Sequence, residues 1–161
     1  VGVRFTILKS PVTIPWSGIF TLAVIFPELT LLTCCDTIAC NLNDFVYEEQ
    51  EYDKIVTGDL GCVGQNILFE LLQKKGKNIK TNHMDCGMAI FDQKTQNTGA
   101  GGSGCGCAAV VLASVILPKL ESGEWKKVLF VPTGALMSTV SHNEGESVPG
   151  IAHGIVLEHE M

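Results

Sequence analysis

The sequence predicts an α/β layered domain, and three observations carry that expectation. Short apolar runs that suit strands alternate with segments of helical periodicity. Two of the runs, KIVT at 54–57 and VLFV at 128–131, are continuous, as in strands covered on both faces. A glycine-dense stretch from Gly99 leads into AAVVLASVIL at 108–117, whose only polar side chain is Ser114. A helix apolar all round must be buried on all sides, and this one is too short to cross a bilayer.

The elements follow in chain order. Residues 18–32 (GIFTLAVIFPELTLL) lie after Arg4 and Lys9 and loosely suggest a secretion signal. Pro27 and Glu28 interrupt the apolar part, and no good cleavage site follows. In the lipoprotein-like run Thr37-Ile38-Ala39-Cys40, Thr37 is wrong for the first position. A buried strand or helix, or a segment whose sequence is not native, is the reading adopted. Residues 54–57 form a short buried strand stopped by Gly58, Asp59 and Gly61. Residues 63–75 put Ile67, Leu68, Leu71 and Leu72 on one face of a helix that ends before Gly76. GMAIF at 87–91 reads as an apolar strand. The buried helix starts near Gly104 and is closed by Pro118. A polar turn at 121–127, the strand at 128–131, a polar loop at 139–149 and a last strand at 151–158 complete the chain.

Composition excludes several classes. The chain has 161 residues, enough for one domain with a real core. It begins at Val1, as a fragment or processed product would. The net charge is -6 and the charge pattern is read as holding no basic cluster, so nucleic acid is excluded as a partner. A 46% hydrophobic content excludes disorder. Seven cysteines with no CxxC read as reduced, buried thiols of a cytosolic protein. The Cys105/Cys107 pair, even with Cys86 or His83 added, lacks structural-zinc spacing, so no metal and no cofactor are expected.

Two places could carry chemistry. The turn Gly102, Ser103, Gly104 precedes a helix, where unpaired backbone N–H groups and the helix dipole attract an anion. Cys105 sits at the same helix start, where a thiol pKa is lowered. No histidine adjoins it, though His83, His142 and His153 are far enough along the chain to approach in space. Packing is the favoured role of Cys105 and Cys107. Asp59, in the TGDLG turn, is read as a turn cap, with a calcium bridge to a bound carboxylate as the alternative. His83 and Asp85 are read as surface-loop residues within reach of a cleft, and His153 as a core histidine.

The segments YDKIVTGDLGCVG, MDCGMAIF, GAGGSGCGCAAVVL, LPKLESGEWKKVLFVPTGALMS and NEGESVPGIAHGIVLE together resemble the stage V sporulation protein AD family. The resemblance runs from about Asp36 to Glu158, and residues 1–35 depart from the family's usual sequence before Asp36-Thr37-Ile38. It implies a thiolase-like layered fold, of which residues 36–161 are the C-terminal half, with a mixed sheet and one buried central helix. It further implies a non-enzymatic protein that binds dipicolinic acid and helps move it into the developing spore. Where condensing enzymes of that fold place a histidine and an asparagine, this chain has 58–61 and 101–104, without either. An acidic Asp59 would oppose a developing enolate there. The ligand residues implied are Asp59, Leu60, His83, Gly102, Ser103, Gly104, Cys105 and Met137. The implied partners are membrane proteins of the same sporulation operon, at the cytosolic side of the inner forespore membrane, with peripheral attachment. A homodimer is left open. Two alternatives stand beside this reading: a thiolase-like acyltransferase using Cys105, and a structural interaction module of the same assembly.

Overall fold

A computed structural model describes residues 2–14, 19–45, 47–99, 106–133, 144 and 148–160, and the side chains of this set from residue 31 onward except those of 93 and 148–151. Strand β1 (Gly2–Ile14) and helix α1 (Ile19–Asp44) come first, followed by a 3-10 turn (Glu49–Glu51). Next are β2 (Lys54–Thr57), α2 (Gly61–Lys74), β3 (His83–Asp85), α3 (Cys86–Ile90) and α4 (Gln93–Gln96). Helix α5 (Cys107–Val111), a π-helical turn (Leu112–Ile116) and α6 (Leu117–Glu121) follow without a break, and β4 (Lys127–Val131) and β5 (Val148–Glu160) close the order.

The sheet is mixed, in the order β1-β5-β4-β2-β3. Strand β2 runs parallel to both β3 and β4, while β5 is antiparallel to β4 and to β1. Alternating side chains divide the strands between two faces. Ile55, Leu129, Val131, Ala152 and Val156 join Leu31, Cys34, Cys35, Ile38 and Leu42 of α1 and Leu68 and Leu72 of α2. Val56, Val128, Phe130 and Leu157 join Cys86 of α3 and Cys107, Val111, Ile116 and Leu120. The α/β expectation therefore holds, with helices on both faces of a mixed sheet.

Residues 19–32 of the apolar segment that resembled a secretion signal lie in helix α1, whose side chains are described from Leu31 onward. Leu31, Cys34, Cys35, Ile38 and Leu42 recur at helical spacing, and all are buried. Burial pushes the Cys34 thiol pKa up, with Cys35 and Asp85 adding to the rise, and holds Cys35 near 11. The helix is tied down by Thr37, whose hydroxyl donates to the Ala152 carbonyl at 2.8 Å, and by Asn41, which accepts from the Tyr52 hydroxyl at 2.7 Å. It runs across residues 35 and 36, and β1 pairs with β5 along its whole length. No helix among the described residues is long and apolar enough to cross a membrane.

Several expectations are corrected. GMAIF is not a strand: the extended residues are His83–Asp85, and Cys86–Ile90 is a helical turn. The Asp85 side chain accepts from the Met88 N–H and so starts that turn as its N-cap. The run after the glycines is not covered on all sides. Cys107, Val111, Ile116 and Leu120 are buried, while Ala109, Ala113 and Ser114 are exposed and Val110 is 56% exposed. The covered stripe is the one that meets the sheet. Nor does Pro118 close the helix, which continues to Glu121. The π-helical turn just before it re-routes the backbone where proline lacks an N–H. His153 is exposed between buried Ala152 and Gly154, on the outward side of its strand, and is no core histidine.

Candidate functional site

Parallel strands β2, β3 and β4 deliver their carboxyl ends to one edge of the sheet, and the chain departs from β2 to one side and later returns on the other. Open α/β sheets hold ligands at such an edge. Here it consists of the turn 58–61 after β2, the β3–α3 junction at Asp85, and Pro132 and Thr133 after β4.

Asp85 organises this edge. It is 2% exposed, and its carboxylate accepts four hydrogen bonds. The Thr57 hydroxyl donates to Oδ1 at 2.6 Å and the Leu60 N–H to the same oxygen at 2.9 Å. The Gly61 N–H donates to Oδ2 at 3.1 Å, and the Met88 N–H at 3.3 Å. Two helix starts, those of α2 and α3, thus share one internal anion, which satisfies amides that would otherwise be orphaned. An external anion is not needed there.

The turn after β2 is closely packed. The Asp59 N–H donates to the Thr133 hydroxyl at 2.8 Å. A Cβ at Gly58 would collide with the Thr133 backbone N and hydroxyl. At Gly87 it would collide with Oδ1 of Asp59 and stand 3.2 Å from Oδ2 of Asp85. Glycine at both positions lets strand ends and a carboxylate approach more closely than any side chain allows. The Gly87 N–H donates to the Gly58 carbonyl at 3.2 Å, and the Cys107 thiol lies 3.8 Å from the same oxygen.

His83 lies beside this cluster, half-buried on β3. Its Nε2 is 3.1 Å from the Thr57 hydroxyl and its Nδ1 is 3.0 Å from the Gln65 carboxamide. Thr57 has one proton, which goes to Asp85, so its oxygen accepts from Nε2–H. Nδ1 faces the Oε1 oxygen of Gln65, so both ring nitrogens lie against oxygen atoms of the protein. Burial lowers the His83 pKa to about 4, against the opposing pull of Asp85 and with the help of Lys54. Burial also raises the Cys86 thiol to about 12, with Cys107, Asp85 and Asp59 adding to the rise.

Of the residues predicted to hold a ligand, the structure brings Asp59 and Leu60 to this edge, while His83 begins β3 opposite Ile55 and reaches the edge only through Thr57. The Leu60 side chain packs against the α1–α2 core, and His83 has both ring nitrogens engaged. Gly102, Ser103, Gly104, Cys105, Met137 and His142 lie outside the described residues. No group of three or more metal-ligating side chains occurs among the described residues. The residues missed are Thr57, Gln65 and Thr133, and the central place of Asp85. An aspartate directly before Cys-Gly-Met-Ala is a helix N-cap signal that could have revealed Asp85.

The geometry defines an α/β protein whose strand-end turns are locked by an internal carboxylate and a neutral, fully engaged imidazole. The chain belongs to the stage V sporulation protein AD (SpoVAD) family, which matches residues 31–158. It is similar to the stage V sporulation protein AD of Bacillus subtilis (strain 168), at 42% identity over 123 residues that cover 76% of this chain. The chain spans 36% of that relative's length.

Proposed function

We propose that this chain is the C-terminal part of a thiolase-like, non-catalytic sporulation protein that binds dipicolinic acid and serves its movement into the developing spore. The observation that carries the non-catalytic reading is the end of β2. A carboxylate, Asp59, stands there, and the nearby imidazole of His83 is neutral and spends both nitrogens within the protein. Enolate chemistry needs a donor at such a position, and a carboxylate opposes it. The ligand is inferred from membership of the family. A flat ring with two carboxylates would be met by the amides of Gly102 and Gly104, the Ser103 hydroxyl, and walls from Cys105, Met137 and Leu60. Asp59 would then face the ligand directly or through calcium. The partners would be membrane proteins of the same operon, with peripheral attachment at the inner forespore membrane.

Calorimetry of the full-length protein with dipicolinate, with and without calcium, tests this reading. Saturable heat is expected, and Asp59→Asn should change the affinity at least tenfold. No heat at millimolar ligand would leave the structural module. Acyl-CoA turnover that iodoacetamide abolishes at Cys105 would establish the enzyme instead.

A further inference from the structure

Contrary to the charge reading, the chain holds a basic run, Lys74, Lys75, Lys77 and Lys80. Acidic groups share its surface: Asp36 binds the Lys75 ammonium at 2.8 Å, and Glu49 accepts from the Asn78 N–H at 3.3 Å. Unspent hydrogen-bonding capacity lies instead at the strand-end edge, and it belongs to Thr133.

Most donors of that edge are spent inside the protein. Asp85 collects the Thr57 hydroxyl and the Leu60, Gly61 and Met88 N–H groups. The Gly58 carbonyl receives the Gly87 N–H at 3.2 Å and lies 3.8 Å from the Cys107 thiol. Thr133 differs. Its hydroxyl oxygen accepts the Asp59 N–H at 2.8 Å, while a hydroxyl also has a proton to give. That proton has no acceptor among the described residues. The hydroxyl is also held in place. Strands β2 and β4 are parallel neighbours with Thr57 opposite Val131, which carries Thr133 to the same edge as the 58–61 turn. A Cβ at Gly58 would collide with the Thr133 backbone N and hydroxyl, so only glycine lets the two strand ends sit this close. Thr133 is half-buried, so solvent and small molecules still reach it.

We propose that Thr133 is the donor by which this edge selects its ligand: the hydroxyl, oriented by the Asp59 N–H, gives its proton to a carboxylate oxygen of the bound molecule. Such a contact rests on the function proposed above, to which it adds a residue. Because one lone pair already receives the Asp59 N–H, the hydroxyl proton points away from that amide, and donation needs little reordering. A hydrogen bond to a carboxylate is charge-assisted, roughly twice as strong as a neutral one. The amide behind the hydroxyl polarises it further, since linked hydrogen bonds strengthen one another. A ligand that brings an apolar group to this place leaves the hydroxyl unpaired, and that difference is the source of selectivity.

Calorimetry of the full-length protein with dipicolinate and with pyridine-2-carboxylate, which lacks one carboxylate, tests the role of Thr133. Thr133→Val keeps the shape and removes the hydroxyl, and it should weaken dipicolinate at least tenfold. Thr133→Ser keeps the hydroxyl and should stay within about threefold of the native protein. For pyridine-2-carboxylate the loss in Thr133→Val should also fall below about threefold, because its single carboxylate can take the other end of the site. Thr133→Ala serves the same comparison where the valine variant does not fold. Equal losses for the two ligands would overturn the proposal, since a merely loosened turn weakens both alike. A tenfold loss in Thr133→Ser would overturn it as well. Native affinity in Thr133→Val would do so while leaving the function proposed above intact. Absence of saturable heat with the native protein would instead remove that function, and this contact with it.

Discussion

The two faces of the sheet are covered differently. On one, α1 and α2 lie side by side, and α1 is buried around much of its circumference, with Thr33, Thr37 and Ala39 inside as well as the Leu31–Leu42 stripe. On the other, the segment from Cys107 to Glu121 lies with its outer side in solvent, although its sequence is the more uniformly apolar of the two. Apolar composition thus reports how much surface a helix could bury, and the neighbours present in the chain decide how much it does bury. An uncovered apolar side is a surface that further protein can cover.

The sharpest test of this comparison lies where the faces meet. Asp85→Ala removes the acceptor of four bonds, strands the buried Thr57 hydroxyl and Gly61 amide, and frees the part-buried Leu60 and Met88 amides, so it should cost roughly 3–5 kcal/mol. Urea unfolding measures the loss, and Asp85→Asn, which keeps one acceptor oxygen, should recover part of it. A loss under about 1 kcal/mol would mean that the faces are held independently of this carboxylate.

The next test contrasts the faces directly. Ile38 and Ile116 are both fully buried, yet Ile38 is enclosed by two helices and the sheet, while Ile116 lies in one helical layer able to relax. Ile38→Ala should cost about 3–4 kcal/mol and Ile116→Ala about 2 kcal/mol by the same unfolding measurement. Equal losses would break the comparison.

A smaller effect follows from pH. His83 has a folded pKa near 4, below its ordinary 6.5, because burial disfavours the charged ring. The unfolded chain takes up a proton there first, so its contribution to stability is whole above about pH 6.5 and is lost as pH falls toward 4. The melting temperature should fall across that window more steeply for the native chain than for His83→Gln. Parallel slopes would show that the ring does not resist protonation.

Much of this fold was legible. Residues 54–57 and 128–131 are too apolar for any surface and too short for helices, and Ile67, Leu68, Leu71 and Leu72 have the helical period. GMAIF misled because five apolar residues carry no period, and the deciding signal was Asp85, two residues ahead of them. Composition alone did not divide the 107–121 segment into a covered and an exposed side, since an apolar side chain such as Val110 does not state what covers it. At the strand-end turns, Asp59 and Leu60 follow β2 directly, and the sequence carries no sign of the hydrogen bonds that fix them. Which amides and hydroxyls Asp85 would collect depends on the parallel pairing of β2 with β3, which brings Thr57 opposite Asp85.

That shared carboxylate has a dynamic consequence. The amide protons of Leu60, Gly61 and Met88 all reach solvent only when Asp85 lets go, so two strand–helix junctions well separated along the chain fluctuate as a single cooperative unit. Their deuterium uptake should therefore proceed in step, whichever junction opens first.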